Sequence, residues 1–238
     1  MLADSAKLPS PNILKGPESN QFILEVLNFV ETRLVEFSER FSSISPEKGL
    51  TFQLVTLLQR DTYIEPCPFW FYPGYPEEPE IGNSREPDLG VMPKESNTII
   101  VNGKSFPYNR SFFSFEAKIL PPPEKSRERE YLIGREISGK YKACGGVERF
   151  KKELHGKGLD FSGILGYVKQ EDFAYWQLTI NSWIDELIND PKDPSMKWDD
   201  NDKLSKEHTY PMTARYISYN RRSQDIITLF HLWIKLDP

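Results

Sequence analysis

The run Ser111-Phe112-Phe113-Ser114-Phe115-Glu116-Ala117-Lys118-Ile119-Leu120 sets a carboxylate and an ammonium group two residues apart in an otherwise apolar segment. Side chains alternate across a strand, so Glu116 and Lys118 share one face with Ser114, and the opposite face is apolar, formed by Phe113, Phe115, Ala117 and Ile119. Opposite charges in a buried strand are costly unless they pair or bind something. The run therefore predicts a core strand that carries an ion pair or a ligand site.

An acidic turn upstream, Arg85-Glu86-Pro87-Asp88-Leu89-Gly90-Val91, supplies a further charged group. Asp88 with Glu116 and Lys118 would form a small acidic pocket containing one cation, which suits a divalent metal beside a phosphate. An ion pair on a solvated strand is the simpler explanation of Glu116 and Lys118 taken alone. Residues elsewhere in the chain are needed to distinguish a metal site from a simple ion pair.

The composition is that of a globular protein, with 238 residues of which 38% are hydrophobic and 27% charged. We expect one domain over residues 19–238, behind a flexible lead-in at residues 1–18 that contains three prolines. The sequence has neither an apolar run of about 20 residues nor a signal-peptide pattern at its start. Its two cysteines, Cys67 and Cys144, lack a zinc-site spacing. These features predict a cytoplasmic protein without a membrane segment.

The formal charge of −5 argues against binding nucleic acid through overall charge, yet it leaves room for a local basic face. Residues 121–158 contain ten Lys or Arg against six Glu, a local balance of +4. Within this segment, Arg149, Lys151 and Lys152 are candidate contacts to phosphates, and a solvated helix face explains them equally well.

Hydrophobic periodicity predicts two helices before the first strands, one from about Asn20 to Phe41 and a second capped by Ser45, with Pro46 and Glu47 in its first turn. A helix near Val147 to Leu154 and another near Asp172 to Ile188 should follow. The predicted strands are Phe69–Tyr72, Leu89–Met92, the run ending at Leu120, Phe161–Val168, Thr213–Tyr219 and Ile226–Leu236, with a hairpin around Asn102-Gly103.

This order of elements, with Pro87-Asp88 before one strand and Glu116-Ala117-Lys118 on the next, resembles the PD-(D/E)XK (restriction-endonuclease-like) nuclease superfamily. The stretches Gly145–Phe150 and Gly163–Val168 resemble those of compact bacterial members, some of them tied to phage defence. The resemblance covers roughly residues 45–238. It implies an α/β fold with a mixed central sheet flanked by helices, here with an N-terminal helical pair.

The resemblance also implies a chemistry. Asp88, Glu116 and Lys118 would be the catalytic residues of a nuclease, with DNA favoured over RNA as the substrate. Cleavage would leave a 5′-phosphate and a 3′-hydroxyl. Asp88, Glu116 and the backbone carbonyl of Ala117 would hold Mg²⁺, for which Mn²⁺ would substitute. Lys118 would orient or deprotonate the attacking water or stabilise the phosphorane.

Glu47 is a further candidate ligand, because members of this group often place an acid at the start of an early helix, followed by Leu-Thr. Lys48 departs from that pattern, and a first-turn acid that complements the helix dipole is the alternative. Glu77, Glu78 and Glu80 are other candidates, for which solvation in a loop is the competing explanation. The gap of 27 residues between Asp88 and Glu116 is longer than in the family and indicates an insertion.

Other functions remain open at this point. A non-catalytic module of the same fold could bind a protein partner in a defence or repair complex, although such a module has no need of two acids and a lysine in this arrangement. A hydrolase with a carboxylate pair but another substrate would leave Lys118 and the basic segment without a role. The sequence leaves the oligomeric state undetermined, and a homodimer is compatible with it.

Overall fold

The computed structural model describes residues 12–15, 20–44, 46–74 and 86–236. Within them the helices are α1 (Gln21–Phe41), α2 (Glu47–Ile64), α3 (Gly146–Lys151) and α4 (Phe173–Asn189). Helix α1 forms as predicted from its apolar stripe, and the stripe residues Ile23, Val26, Leu27, Val30, Leu34 and Phe37 are fully buried. Helix α4 begins after Asp172, whose carboxylate accepts a hydrogen bond from the backbone N–H of Tyr175 at 2.7 Å.

The strands follow in chain order, and most of the longer ones coincide with the predicted runs. They are β1 (Asn12–Lys15), β2 (Phe69–Pro73), β3 (Leu89–Pro93), β4 (Asn97–Val101), β5 (Lys104–Pro107), β6 (Phe113–Leu120), β7 (Arg135–Ile137), β8 (Lys140–Lys142), β9 (Phe161–Val168), β10 (Ser205–Thr209), β11 (Thr213–Arg221) and β12 (Ile226–Lys235).

The fold is mixed α/β, with a seven-stranded mixed sheet flanked by helices. The strand order is β10-β11-β12-β9-β6-β3-β2, and the pairs β12–β9 and β9–β6 are parallel while the others are antiparallel. Strand β6 is therefore an interior strand, with β9 on one side and β3 on the other. A three-stranded sheet, β1-β4-β5, and the hairpin β7–β8 lie outside this sheet.

Each face of the large sheet carries its own hydrophobic core. Helices α1 and α2 pack on one face, together with Phe113, Phe115, Ala117 and Ile119 of β6. Helices α3 and α4 pack on the other face, against side chains such as Ile164 and Trp233. All eight residues of β6 are buried. The predicted alternation of β6 is confirmed, because its apolar residues enter the first core and its charged residues point towards α3.

Gly163 lets β9 pair closely with β6. A Cβ atom at this position would lie 2.3 Å from the ring of Phe115, so a larger residue would displace the aromatic face of β6. Gly145, just before α3, has a comparable role. A Cβ atom there would lie 2.2 Å from the backbone of Ile133, which confirms that the Gly145-Gly146 pair serves a close backbone approach.

Several elements differ from the predictions. Residues 12–15 lie within the expected flexible lead-in, yet they form β1 and pair in parallel with β4. Strands β7, β8 and β10 were not predicted, and α3 ends at Lys151, three residues before the predicted end. The hairpin at Asn102-Gly103 is confirmed, with positive φ at both residues. The Ser45 cap lies outside the described residues, and α2 begins after Pro46.

None of the helices in the described ranges is both long enough and apolar enough to cross a bilayer.

Candidate active site at the end of β6

Asp88 takes the place of a strand partner beside β6. Pairing between β3 and β6 stops at the Leu89–Phe115 pair, and Pro87 has no N–H group with which to continue the ladder. Beyond this pair, Asp88 Oδ2 accepts a hydrogen bond from the backbone N–H of Ala117 at 2.8 Å. The Pro-Asp turn therefore holds a half-buried carboxylate directly against the Glu-x-Lys segment.

The carboxylate of Glu47 also bonds to the backbone of β6, two residues further along the strand. Its Oε2 atom accepts a hydrogen bond from the backbone N–H of Ile119 at 2.9 Å. This residue is the first of α2, which brings the helix start to the same open side of the strand. The structure thus groups Glu47 with Asp88, and both carboxylates satisfy strand N–H groups that would otherwise be unpaired.

Glu116 lies at the centre of a buried cluster of cations. Its side chain is 1% exposed. Its Oε1 atom accepts hydrogen bonds from Lys118 Nζ at 2.8 Å and from the guanidinium of Arg149 on α3. Its Oε2 atom lies 3.6 Å from Nδ1 of His155. The glutamate is therefore paired with cations from its own strand and from α3, and the imidazole of His155, on the loop after α3, lies beside it.

The cluster raises the pKa values of three of its members, Asp88, Glu47 and Lys118. Burial raises the pKa of Asp88 and the charge of Glu116 raises it further, against the opposing effects of Lys118 and the Ala117 N–H. Burial also raises the pKa of Glu47. Burial alone would lower the pKa of Lys118, but the carboxylates of Glu116, Glu47 and Asp88 outweigh it, so the pKa of Lys118 is raised. The surrounding carboxylates therefore favour the ammonium form of Lys118, which donates hydrogen bonds.

The donor atoms around β6 are of the kind that Mg²⁺ prefers. The carboxylate of Asp88 comes from the turn before β3 and that of Glu116 from β6, and the carbonyl of Ala117 points to the same side of β6 as its N–H group. Glu116 Oε2 is buried and makes no hydrogen bond within the described residues. No group of three or more Asp, Glu, His or Cys side chains in the described ranges is arranged to hold a metal ion. The fit to a metal therefore rests on two carboxylates and one backbone carbonyl.

The three predicted phosphate-binding cations have different environments. Arg149 is part of the cluster, with a side chain that is 28% exposed. Lys151 is fully buried, paired with Asp202 at 2.5 Å and stacked over the ring of Trp198. A phosphate contact by Lys151 would have to break this pair. Lys152 is partly exposed, and its Nζ lies 2.7 Å from Asp193 and 3.0 Å from Glu148.

His155 belongs to the site although its position in the sequence gives no indication of it. Three scattered histidines do not suggest a catalytic base, and His155 lies 39 positions after Glu116 in the sequence. The short helix α3 and the turn after it fold the chain back over the polar face of β6, where the His155 ring packs edge-on to Phe150. The candidates Glu77, Glu78 and Glu80 lie outside the described residues.

Comparisons of the chain with protein-family models, with curated proteins and with solved structures gave no match. Its function therefore has to be inferred from the chemistry of Asp88, Glu116, Lys118 and the groups around them. These residues combine paired carboxylates with fixed cations, an arrangement suited to binding a metal ion and an anionic ester together.

Proposed function

We propose that this chain is a Mg²⁺-dependent nuclease of the PD-(D/E)XK type, with a restriction-endonuclease-like core. It hydrolyses phosphodiester bonds in the cytoplasm, and DNA is favoured over RNA as its substrate. The observation that carries the proposal is the position of the Asp88 carboxylate on the N–H group of Ala117, between Glu116 and Lys118 in sequence. It joins the Pro-Asp turn to the Glu-x-Lys strand. The order of strands around β6 supports the same core.

The residues divide the reaction between them. Asp88, Glu116 and the Ala117 carbonyl would hold the metal, which when bound supplies Lewis acidity to the phosphate and acidifies a water molecule. Lys118, kept protonated by the surrounding carboxylates, donates a hydrogen bond that orients the attacking water and stabilises charge on the phosphorane oxygens. Glu47 fixes the end of β6 through Ile119 and adds negative charge beside the metal ligands.

The test is nicking of supercoiled plasmid by the purified chain with Mg²⁺ or Mn²⁺. Lys118→Met keeps the length of the side chain and removes its charge, so it should abolish nicking. The matched control is Lys206→Met, which alters an exposed lysine on β10 and should retain wild-type activity. Equal nicking by wild type and Lys118→Met would refute the assignment of Lys118.

A second function is favoured by one observation. Glu116 is already neutralised by Lys118 and Arg149, which is the arrangement of a structural ion cluster rather than of a vacant metal ligand. The alternative is a non-catalytic nuclease-fold module that binds a protein partner in a defence or repair complex. Protein whose melting temperature does not respond to Mg²⁺ or Mn²⁺, and which cuts neither DNA nor RNA, would favour this alternative.

A further inference from the structure

A cleft of about 700 Å³ opens beside α3, apart from the metal-ligand set. Its walls come from the loop after α3, from the loop around Asp193 and from the turn between β11 and β12. The residues used below are Lys152, Leu154, Asp193, Lys197, Arg221 and Ser223. Its volume lies within the range of pockets that hold a small ligand.

Positive charge dominates the lining. The lining contains five cationic side chains, those of Lys151, Lys152, Lys197, Arg221 and Arg222, and two carboxylates, those of Glu153 and Asp193. Lys151 and Arg222 are buried and bonded within the fold, to Asp202 and to backbone carbonyls, so the cationic excess on the open surface comes from the others. Hydrogen bonds from Lys152 and Ser195 lower the pKa of Asp193 to about 2, so this carboxylate is ionised but already paired. An excess of cations in a concave surface concentrates anions there.

Two of these cations are available to a ligand. Lys197 and Arg221 are both exposed. Neither side chain makes an ion pair or hydrogen bond with another residue in the described part of the chain. They lie at different places in the sequence, one in the loop after α4 and the other at the end of β11, and the fold brings them to one cleft.

The cleft and the candidate active site share a wall. Arg149, which contacts Glu116, and Lys152, which lines the cleft, are three residues apart along α3 and its C-terminal cap, a spacing that makes them neighbours. On the loop that follows, Leu154 lines the cleft and the next residue, His155, lies 3.6 Å from Glu116. Residues 149–155 therefore contribute both to the contacts with Glu116 and to the lining of the cleft.

We propose that the cleft binds the sugar-phosphate backbone of a single nucleic-acid strand next to the scissile phosphate, an inference that rests on the proposed nucleic-acid substrate. The volume suits a few flexible nucleotides, whereas a stiff duplex would have to lie across the opening. The lining in the described ranges contains no aromatic side chain on which bases could stack. Binding is therefore to phosphates, independent of base sequence and sensitive to salt.

The experiment measures binding of a fluorescein-labelled dodecamer of deoxythymidine by anisotropy, with the full chain in EDTA so that no cleavage occurs. Lys197→Glu and Arg221→Glu should each weaken binding at least fivefold. Each should also make the plot of log affinity against log salt shallower by about 0.7 for every phosphate that the variant no longer neutralises. Lys206→Glu carries the same charge change on an exposed residue outside the cleft and should stay within twofold of wild type.

The neutral variants Lys197→Gln and Arg221→Gln guard against a folding defect caused by charge reversal, and melting curves compare all five variants with the wild type. Wild type should bind the single strand more tightly than a duplex of the same length. Unchanged strand affinity in the folded Lys197 and Arg221 variants would overturn the cleft proposal. The binding assay needs no metal, so it is independent of cleavage. If the wild type binds the strand through the cleft but does not nick plasmid, the cleft proposal is supported and the proposed nuclease activity is overturned.

Discussion

Arg149→Ala should tighten the binding of Mg²⁺ while it slows cleavage. In the structure the Arg149 guanidinium bonds to Oε1 of Glu116, the same carboxylate that the proposed reaction needs as a metal ligand. A metal ion that binds Glu116 has to displace this guanidinium or share the carboxylate with it. Once displaced, Arg149 would be close enough to contact the substrate phosphate.

The magnitude follows from the environment of the pair. A hydrogen bond to a charged group contributes about 1.5–3 kcal/mol, and about 1.4 kcal/mol corresponds to a factor of ten in a dissociation constant. Glu116 is 1% exposed but Arg149 is 28% exposed, so solvent screening favours the lower part of this range. We therefore expect a dissociation constant for Mg²⁺ about tenfold lower in Arg149→Ala. Removing a hydrogen-bond donor to the phosphate at the transition state should lower kcat by about 10²–10³.

Isothermal titration calorimetry with Mg²⁺ and with Mn²⁺, in the absence of nucleic acid, measures the affinity directly. Plasmid nicking at saturating metal measures the second effect. The matched control is Arg129→Ala, which removes the same charge from a residue that pairs with Glu186 on α4 and lies over Trp183. This control should leave metal affinity and nicking within twofold of wild type.

Two results would contradict the argument. A metal affinity in folded Arg149→Ala that is unchanged or weaker than in wild type would mean that Arg149 does not compete with the metal for Glu116. Tighter metal binding with undiminished nicking would mean that Arg149 leaves Glu116 without contacting the phosphate.

Three further predictions concern the buried groups themselves. Glu116→Gln should destabilise the fold by about 3 kcal/mol in chemical denaturation, because it leaves the buried Lys118 without its nearest counter-charge; a loss under 1 kcal/mol would contradict this. Glu47→Gln keeps an acceptor for the Ile119 N–H and should retain stability, whereas Glu47→Ala should lose about 1–3 kcal/mol, and equal losses would refute the proposed cap on β6. Burial lowers the pKa of His231 to about 3, so the unfolded chain binds a proton below about pH 6.5 that the folded chain does not. The free energy of unfolding should therefore fall between about pH 6.5 and 3 by up to about 1.4 kcal/mol per pH unit, and His231→Gln should show a shallower fall; identical slopes would refute it.

The elements that the sequence predicts well are those whose signal is local. The alternation in β6, the apolar stripe of α1 and the Asn102-Gly103 turn each follow from the periodicity or the backbone preference of a few residues. The proximity of Asp88 to Glu116 and Lys118 could be predicted as well, because two adjacent antiparallel strands bring their ends together.

The elements that the sequence does not reveal depend on distant partners. Lys151 looks like a surface cation, but its partner Asp202 lies 51 residues away and buries it. Arg149 reaches Glu116 across 33 residues. Strands β7, β8 and β10 are short and mostly exposed, so they lack the hydrophobic alternation by which strands are recognised. Strand β1 is defined only by its pairing with β4.

The balance of charge around β6 explains how one arrangement can be stable without a metal and still bind one. Three carboxylates, those of Asp88, Glu116 and Glu47, face two cations, Lys118 and Arg149, so the formal charges differ by one, and burial raises the pKa of Asp88 and of Glu47. A divalent ion would add two positive charges and displace Arg149, and an arriving phosphate would restore the balance by pairing with the released guanidinium. Metal and substrate should therefore favour each other's binding, because each removes an excess charge that the other creates.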